Sequence, residues 1–286
     1  MTIQEAINDL QDALTSLYGA GEARSMVRYV FEDYFSIKPH IESQEDIFKN
    51  FLLGDYFTLK NRLLAGEPVQ YVVGFAWFYG LKFKINNSVL IPRPETEELV
   101  EWILETVGRQ NNLSILDIGT GSGCIPVTLK VKNPHLMVSA VDISESALIT
   151  ASRNAYRHNA DIDFKRIDIL NQTDWSQLTD FQVIVSNPPY IPHIEKTFMS
   201  DNVLKYEPHL ALFVENNNAL IFYETIADFA LKHLKNEQNT EGGYLFFECN
   251  EFNALDVVAL LKVKNYKQII LKKDISGKDR MVRAKL

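Results

Sequence analysis

The sequence predicts an α/β fold with a mixed sheet of seven strands, preceded by a small helical domain and a β-hairpin. Three observations support this prediction. Apolar residues within positions 1–74 recur at three- and four-residue steps, as they do on one face of a helix. Beyond residue 112, apolar strand patterns alternate with helical patterns, which predicts parallel pairing through right-handed crossovers. The last two strand patterns have no helix between them, so one of them must run antiparallel to its neighbour.

Residues 1–74 are predicted to form the helical domain. Its first helix collects five apolar residues on one face: Ile3, Ile7, Leu10, Leu14 and Leu17. A second apolar set begins at Met26. Ser43 followed by Asp46 is typical of a helix start, and a helical pattern then continues to Gly66.

The charge of this domain leaves its role open. Residues 1–75 contain 6 Lys and Arg against 11 Asp and Glu, so they carry −5 of the total charge of −8. A solvated surface explains this balance, and so does a docking face for a basic protein partner. A nucleic-acid clamp is disfavoured, because phosphate neutralisation needs a basic surface.

Residues 75–91 are predicted to form a linking β-hairpin. The segment FAWFYGLKFKI is aromatic and roughly alternating, and Asn86, Asn87 and Ser88 then supply a turn before a short apolar run. A helix follows over 95–107, with acidic residues in its first turn, where the helix dipole favours them.

The domain over residues 92–286 is predicted to hold a Rossmann-like sheet. Its expected strands cover 114–119, 136–143, 161–169, 181–186, 242–250, 266–274 and 279–286. Its expected helices cover 124–132, 144–158, 219–235 and 254–264. Pro126 is compatible with the first turn of its helix.

The cysteines indicate neither a disulfide framework nor a zinc site. Only Cys124 and Cys249 occur, without pair spacing or companion histidines. The N-terminus lacks the basic start and apolar core of a signal peptide, and no apolar run is long enough to span a bilayer. We therefore expect a cytoplasmic protein with no metal and no membrane partner.

A glycine-rich turn follows the first strand of the sheet. Glycines 119, 121 and 123 let the backbone turn sharply and approach a ligand closely. A plain strand–helix turn is the alternative explanation. Dinucleotide-binding turns usually carry Gly or Ala where this chain has Cys124, so the spacing favours a ligand without a pyrophosphate.

Two acidic residues end the next two strands. Asp142 follows Gly123 by 19 positions, where an acid can accept hydrogen bonds from ribose hydroxyls. By itself, Asp142 could merely cap the following helix. Together with the glycines it predicts a nucleoside pocket, with Asp168 near the base.

The segment Asn187-Pro188-Pro189-Tyr190 follows an apolar strand, so it lies at the carboxyl edge of the sheet. The prolines remove two backbone donors, and a residue before proline is extended. The Asn187 Oδ1 and the Pro188 carbonyl thus form two adjacent acceptors, which match an NH₂ group. Tyr190 can stack on a flat substrate.

Such a pair of acceptors suits methyl transfer to an amide-like nitrogen. The nitrogen is a poor nucleophile because its lone pair is delocalised, as the rotation barrier of about 18–20 kcal/mol for a peptide bond shows. Acceptors on its hydrogens position the nitrogen and draw electron density onto it. No general base and no metal is required.

The sequence resembles the HemK/PrmC family of release-factor glutamine N5-methyltransferases. The resemblance is carried by EPVQY at 67–71, LIPRPETEELVE at 90–101, LDIGTGSG at 116–123, IVSNPPY at 184–190, Glu207-Pro208, and DISG at 274–277 with Arg280. NPPY is shared with adenine and guanine N-methyltransferases, whereas related ribosomal-protein glutamine methyltransferases usually have PRSP where this chain has PRPE.

The resemblance implies a class I fold that uses S-adenosylmethionine. The catalytic residues would be Asn187, Pro188, Pro189 and Tyr190. The cofactor-binding residues that it implies are Gly119, Thr120, Gly121, Ser122, Gly123, Asp142 and Asn187. The other residues predicted to bind the cofactor are Asp117, Ile143, Asp168 and Ile169. The substrate would be the glutamine of a release factor's Gly-Gly-Gln loop, held by Asn187, Pro188 and Tyr190, with the substrate-binding residues Arg93 and Glu95 lining the entry.

The match is weaker at three places. Ile169 stands where some members have Trp, Glu248 to Glu251 are less typical, and the first seventy residues match only in helical character. Three alternatives remain: a glutamine methyltransferase of a ribosomal protein, a nucleic-acid base N-methyltransferase, and a non-catalytic binding protein built on the nucleotide fold.

Overall fold

The computed structural model describes residues 1–37, 53–108, 112–235 and 243–286. They form two compact units. The first contains Met1–Phe75 and Ser200–Tyr206, and the second contains Ala76–Met199 and Glu207–Leu286. The helix start predicted at residues 43–46 lies outside the described residues.

The first unit is helical, as predicted. Its helices are α1 (Ile3–Arg28), α2 (Leu53–Leu64) and α3 (Val69–Val73), with a π-helical segment at Tyr29–Tyr34. Thr2 caps α1, because its side chain accepts a hydrogen bond from the Glu5 backbone. Gly19, with φ of 80° and ψ of 161°, breaks α1 between the two predicted apolar sets.

A short helix from later in the chain belongs to the same unit. This helix is α7 (Asp201–Tyr206), and the Tyr206 hydroxyl donates to the Ala65 carbonyl over 3.0 Å. Nearby, Arg62 pairs with Glu67 at 2.5 Å and donates to the Val72 carbonyl at 3.0 Å. These bonds fasten the short helix α3, which is too short to be stable alone.

The hairpin consists of β1 (Phe75–Phe78) and β2 (Leu81–Lys84). It turns at Tyr79 and Gly80, whose φ values of 51° and 74° are both positive, as a tight two-residue hairpin turn requires. The turn expected at residues 86–88 is therefore not the hairpin turn. In residues 85–93, all of them described, the chain forms no strand.

The mixed seven-stranded sheet is confirmed. Its strands are β3 (Ser114–Ile118), β4 (Met137–Asp142), β5 (Ile162–Arg166), β6 (Val183–Ser186), β9 (Tyr244–Glu248), β10 (Lys267–Lys273) and β11 (Asp279–Lys285). Their order is β10-β11-β9-β6-β3-β4-β5. The first five in chain order pair in parallel, and β11 runs antiparallel to both neighbours, as the missing helix predicted.

Helices cover both faces of this sheet. They are α4 (Pro94–Val107), α5 (Cys124–Lys132), α6 (Glu145–Arg157), α8 (Ile221–His233) and α9 (Ala254–Val263). Alternate strand residues enter opposite cores: Phe246 packs with α4 and α5, and Phe247 packs with α8 and α9. A small parallel pair, β7 (Ile191–Pro192) and β8 (Phe213–Val214), lies outside the main sheet.

The parallel strands direct their carboxyl ends to one edge, where β3, β4 and β6 lie side by side. Loops at this edge hold all the predicted catalytic residues. None of the helices that the structure describes is long and apolar enough to span a bilayer.

Candidate active site

A cavity of about 350 Å³ opens at the carboxyl edge of the sheet, within the second unit. It brings together most of the predicted site residues: Arg93, Gly119, Thr120, Gly121, Ser122, Asp142, Ile143, Asp168, Ile169, Asn187, Pro188 and Pro189. Four other predicted residues, Glu95, Asp117, Gly123 and Tyr190, are not among those lining it. The predicted residues on these loops therefore lie around one cavity, and their binding and catalytic roles stay predictions.

The loop after β3 forms one wall of the cavity. Gly119 and Gly121 have φ values of 77° and 54°, and a Cβ built on either meets no atom within 4 Å. Positive φ is readily accessible only to glycine, and the absence of side chains leaves the backbone exposed to the cavity. This loop can cradle a ligand against its main chain.

Asp142, the last residue of β4, forms hydrogen bonds that connect this loop to β4. One carboxylate oxygen accepts from the Gly121 backbone N–H at 2.9 Å, and the other accepts from the Ser144 N–H at 2.9 Å. Burial raises the pKa of Asp142, while these backbone bonds lower it. Each oxygen keeps a further lone pair, so the carboxylate can still accept from ligand hydroxyls.

Apolar residues complete the side of the cavity that contains Asp142. Ile143 and Ile169 line it, next to Asp142 and Asp168. The Ile169 carbonyl accepts a hydrogen bond from the buried Trp175 indole at 2.9 Å, so the aromatic ring supports this wall from the core. A carboxylate that can accept from ribose hydroxyls and apolar walls that can flank a base fit a nucleoside cofactor.

The opposite end of the cavity is formed by the segment after β6. The Ser186 hydroxyl donates to the Ile118 carbonyl at 2.7 Å and so fixes the ends of β6 and β3 together. Asn187, Pro188 and Pro189 then line the cavity. The Asn187 Nδ2 donates to the Thr96 hydroxyl at 3.2 Å, which leaves Oδ1 as the free end of the amide.

Tyr190 lies beside this segment rather than in the cavity wall. It lines a small neighbouring recess of about 20 Å³, together with Asn187 and Pro188, and packs against the core between the sheet, α8 and α9. Burial raises the pKa of its phenol above the ordinary value. Its expected stacking on a substrate stays a prediction.

An ion pair holds two further cavity segments together. Arg93 lines the cavity and pairs with the buried Glu207 at 2.5 Å, and the Ile91 N–H donates to the other Glu207 oxygen at 3.3 Å. Glu207 thus joins the chain before α4 to residues 208–211, three of which line the cavity. Glu95 lies outside the lining.

Asp117 is enclosed in the interior of the sheet, 0% exposed. Burial, and to a smaller extent the Asp142 charge, raise the pKa of Asp117 to about 7, against the lowering effect of the Thr120 hydroxyl. Its expected cofactor contact stays a prediction. Within the described part of the chain, no cluster of three or more His, Cys, Asp or Glu could hold a metal ion.

Comparison with known proteins identifies the family. Residues 96–208 match the methyltransferase small domain. A release factor glutamine methyltransferase of Flavobacterium psychrophilum is 41% identical over 288 residues, which cover 99% of this chain and 99% of that protein. Another, of Bacteroides thetaiotaomicron, is 43% identical over 78% of this chain and 77% of that protein.

The chain belongs to the release factor glutamine methyltransferase family. Members of this family are enzymes that use S-adenosylmethionine as methyl donor. The resemblance deduced from the sequence motifs is thereby confirmed.

Solved structures support the same fold. A methyltransferase from Pyrococcus furiosus matches with a TM-score of 0.51 and 17% identity, covering 80% of this chain and 98% of that chain. The human methyltransferase 10 domain containing protein matches with a TM-score of 0.51 and 16% identity, covering 72% of this chain and 89% of that chain.

Sequence reasoning missed several site residues of this methyltransferase. Thr96, Phe222 and Ile226 line the cavity from α4 and α8, and Leu210 and Ala211 line it from a 3₁₀ turn. Glu248 was noted only as atypical, yet it ends β9 at the same carboxyl edge as the predicted residues. Its position after an apolar strand was the signal that could have found it.

Gly123 has a packing role that the glycine pattern did not reveal. It begins α5 with a φ of 78°, and a Cβ placed there would lie 3.0 Å from Ala151 Cβ and 3.2 Å from Ala151 Cα. Ala151 belongs to α6, so the glycine permits close contact of α5 and α6.

Replacing Gly123 by alanine is therefore expected to destabilise the second unit. Left-handed backbone costs about 1–2 kcal/mol for a residue with a Cβ, and overpacking adds about 1–3 kcal/mol. The loss, at least about 2 kcal/mol, is measured by denaturant unfolding. Gly119→Ala is the matched control, because its φ of 77° is nearly the same and its surroundings are open. Equal losses in both variants would exclude the helix contact as the cause.

Proposed function

We propose that this enzyme transfers a methyl group from S-adenosylmethionine to the side-chain amide nitrogen, N5, of the glutamine in the Gly-Gly-Gln loop of a peptide-chain release factor. The methylation then acts on the machinery of translation termination. The observation that carries the proposal is that one cavity joins Asp142, at its nucleoside end, to Asn187 and Pro188, at its acceptor end.

The residues of the cavity suit the cofactor at one end. Gly119 to Ser122 would hold it along their backbone, Asp142 would accept from its ribose hydroxyls, and Ile143 and Ile169 would flank its base. When bound, S-adenosylmethionine supplies an electrophilic methyl group on its sulfonium.

At the other end, Asn187 and Pro188 act on the substrate amide. The Asn187 Oδ1 and the Pro188 carbonyl accept hydrogen bonds from the two amide hydrogens, which fixes the nitrogen and increases its electron density. Fixing two reactants in this way is worth about 7–11 kcal/mol in favourable cases. The S–CH₃ bond would break as the N–CH₃ bond forms, with S-adenosyl-L-homocysteine as the product. The methylated nitrogen would then be acidic and would lose one proton to water late, so this scheme uses no general base.

The helical unit is proposed as the docking domain for the release factor, with residues 1–74 as the domain, 75–91 as the linking hairpin and 92–286 as the methyltransferase domain. Exposed acidic residues on α1 and α2 include Asp12, Glu22 and Asp55. An acidic surface attracts a basic protein partner and steers its approach.

Charge reversal tests this docking. The double variant Asp12→Lys and Glu22→Lys is expected to raise KM for the release factor, because each exposed charge contributes about 0.2–1 kcal/mol. The affinity for S-adenosylmethionine and the value of kcat should stay the same. The increase in KM should shrink at high salt, since screening weakens exposed charges. An unchanged KM at low salt would remove the acidic surface from the docking proposal.

Mass spectrometry decides the substrate. A release factor incubated with enzyme and S-adenosylmethionine should gain the mass of one CH₂ group on the peptide that contains the Gly-Gly-Gln glutamine. A release factor with that glutamine replaced by glutamate is the control. No methyl on the loop peptide would refute the proposed substrate.

The rival substrates are tested in the same assay. Ribosomal proteins, ribosomal RNA and DNA are each offered with labelled cofactor, because the NPPY site alone suits several planar nitrogens. Methyl transfer to one of these, with none to the release factor, would favour that rival.

We also propose a cytoplasmic location, because the two cysteines are free and buried, as is usual in a reducing compartment.

A further inference from the structure

Thr96 and Glu248 form a hydrogen-bonded chain with Asn187. The Thr96 hydroxyl donates to Glu248 Oε2 at 2.7 Å, and Asn187 Nδ2 donates to the same Thr96 oxygen at 3.2 Å. Thr96 is 3% exposed and Glu248 is 2% exposed, so bulk water does not compete for these bonds. The chain joins the first turn of α4, the end of β9 and the segment after β6 at one hydroxyl.

The chemistry of the three groups determines which group donates and which accepts in each of these two hydrogen bonds. A hydroxyl has one hydrogen, and an ionised carboxylate only accepts. Because Thr96 donates its hydrogen to Glu248, its oxygen can only accept from Asn187. The Asn187 amide must therefore turn its NH₂ towards Thr96, which leaves Oδ1 on the other side as an acceptor.

We propose that Thr96 and Glu248 are positioning residues that determine which end of the Asn187 amide faces the substrate. With Oδ1 facing the substrate, Asn187 complements the Pro188 carbonyl and the pair accepts an NH₂ group. With the amide reversed, the NH₂ group of Asn187 would face the NH₂ group of the substrate, and two donors cannot form a hydrogen bond. This inference rests on the proposed function, because it concerns the orientation of the same acceptor.

The surroundings of Glu248 keep its carboxylate in place. The Arg280 Nε donates to Asp274 at 3.1 Å, and its Nη1 donates to the Cys249 carbonyl at 3.2 Å, which holds the guanidinium near Glu248. The Tyr223 hydroxyl donates to the Glu248 backbone carbonyl at 3.1 Å. The titratable and charged groups that face Glu248 are Arg93, Glu95, Cys124, Tyr190, Tyr223, Cys249 and Arg280.

Protonation of Glu248 is expected to reverse donor and acceptor in both hydrogen bonds. Burial and Glu95 raise the pKa of Glu248 to about 7, against the lowering effects of Thr96, Arg280 and Arg93. A protonated carboxyl can donate to Thr96, whose hydrogen is then available to the Asn187 oxygen. The amide can then turn over, so kcat should fall as the pH drops below about 7.

Two substitutions of Thr96 test the proposal. Thr96→Val keeps the branched shape without the hydroxyl, and Thr96→Ser keeps the hydroxyl. With a full-length release factor as substrate, Thr96→Val is expected to lower kcat by about 10- to 100-fold, since loss of alignment has effects of this size. Thr96→Ser should retain most of the wild-type kcat. Calorimetry with S-adenosylmethionine should give the same affinity for all three proteins, which shows that they are folded.

The pH profile of Glu248→Gln supplies a readout that a purely structural role would not change. Glutamine does not titrate, so the fall of kcat below about pH 7 should disappear in this variant. Thr96→Val with wild-type kcat, or Glu248→Gln with an unchanged acid limb, would overturn the inference. Failure of the wild-type enzyme to methylate the release factor would instead refute the proposed function, so the two failures are distinguishable.

Discussion

Asn187→Ala is expected to lower kcat by about 10²–10³-fold, the cost of removing one aligned hydrogen-bonding group from a polar active site. The substitution removes the Oδ1 acceptor, and the Pro188 carbonyl alone cannot fix both hydrogens of an amide. Asn187 follows β6, whereas Asp142 ends β4 and the glycine loop follows β3, so the proposed acceptor end and the proposed cofactor end are formed by different residues. The affinity for S-adenosylmethionine should therefore change little, as calorimetry can measure.

Asn133→Ala is the matched control for this variant. It removes the same kind of side chain after α5, just before β4, at the opposite edge of the sheet from the cavity. Its turnover should equal that of the wild-type enzyme. A kcat for Asn187→Ala within a few-fold of wild type, with methyl still added to the loop glutamine, would refute the two-acceptor mechanism.

Local patterns predicted the parts of the site that follow directly from a strand. Asp142 ends β4 and Asn187 follows β6, and parallel strands bring their carboxyl ends to one edge. The hydrophobic periodicity of the strands and helices, with the rule that such alternating strands pair in parallel, was enough to place both residues at the same cavity. The same reasoning gave the antiparallel β11, because two strands without a crossover helix cannot be parallel.

Contacts between distant parts of the chain were not predictable in this way. Thr96 and Glu248 are separated by 152 positions and meet only because α4 packs beside β9. Neither residue belongs to a local motif that specifies a hydrogen bond to the other. Asp117 illustrates the opposite problem: it lies in the motif, yet the side chain points into the interior rather than into the cavity wall.

The turn predicted at residues 86–88 exists, since the Val89 N–H donates to the Asn86 carbonyl at 3.2 Å, but it does not join the two strands of the hairpin. Asn86, Asn87 and Ser88 have the composition of a turn, but the two strands are joined by Tyr79 and Gly80. Both of these residues adopt positive φ, which is uncommon for tyrosine and therefore carries little weight in a sequence-based prediction. Strand pairing overrode the local preference of Tyr79, as tertiary structure commonly does.

Two buried carboxyls are expected to make the protein less stable as the pH rises from about 5 to about 7. Burial raises the pKa of Asp117 to about 7 and that of Glu248 to about 7, against ordinary values of 3.8 and 4.5. Within this range the folded state therefore keeps protons that the unfolded chain releases. Unfolding free energy then falls with pH, by up to about 1.4 kcal/mol per pH unit for each group.

Asp117→Asn and Glu248→Gln separate this effect from the titration of other groups. Each variant removes one titrating carboxyl, so its unfolding free energy should fall less than that of the wild type between pH 5 and pH 8. The difference should approach about 3 kcal/mol for each substitution, which is two pH units at the slope of a single proton. Urea unfolding of the cofactor-free proteins across this range measures it. Parallel curves for wild type and Asp117→Asn would mean that Asp117 stays ionised in the folded protein, and its burial would then require a charged partner that the sheet interior has to supply.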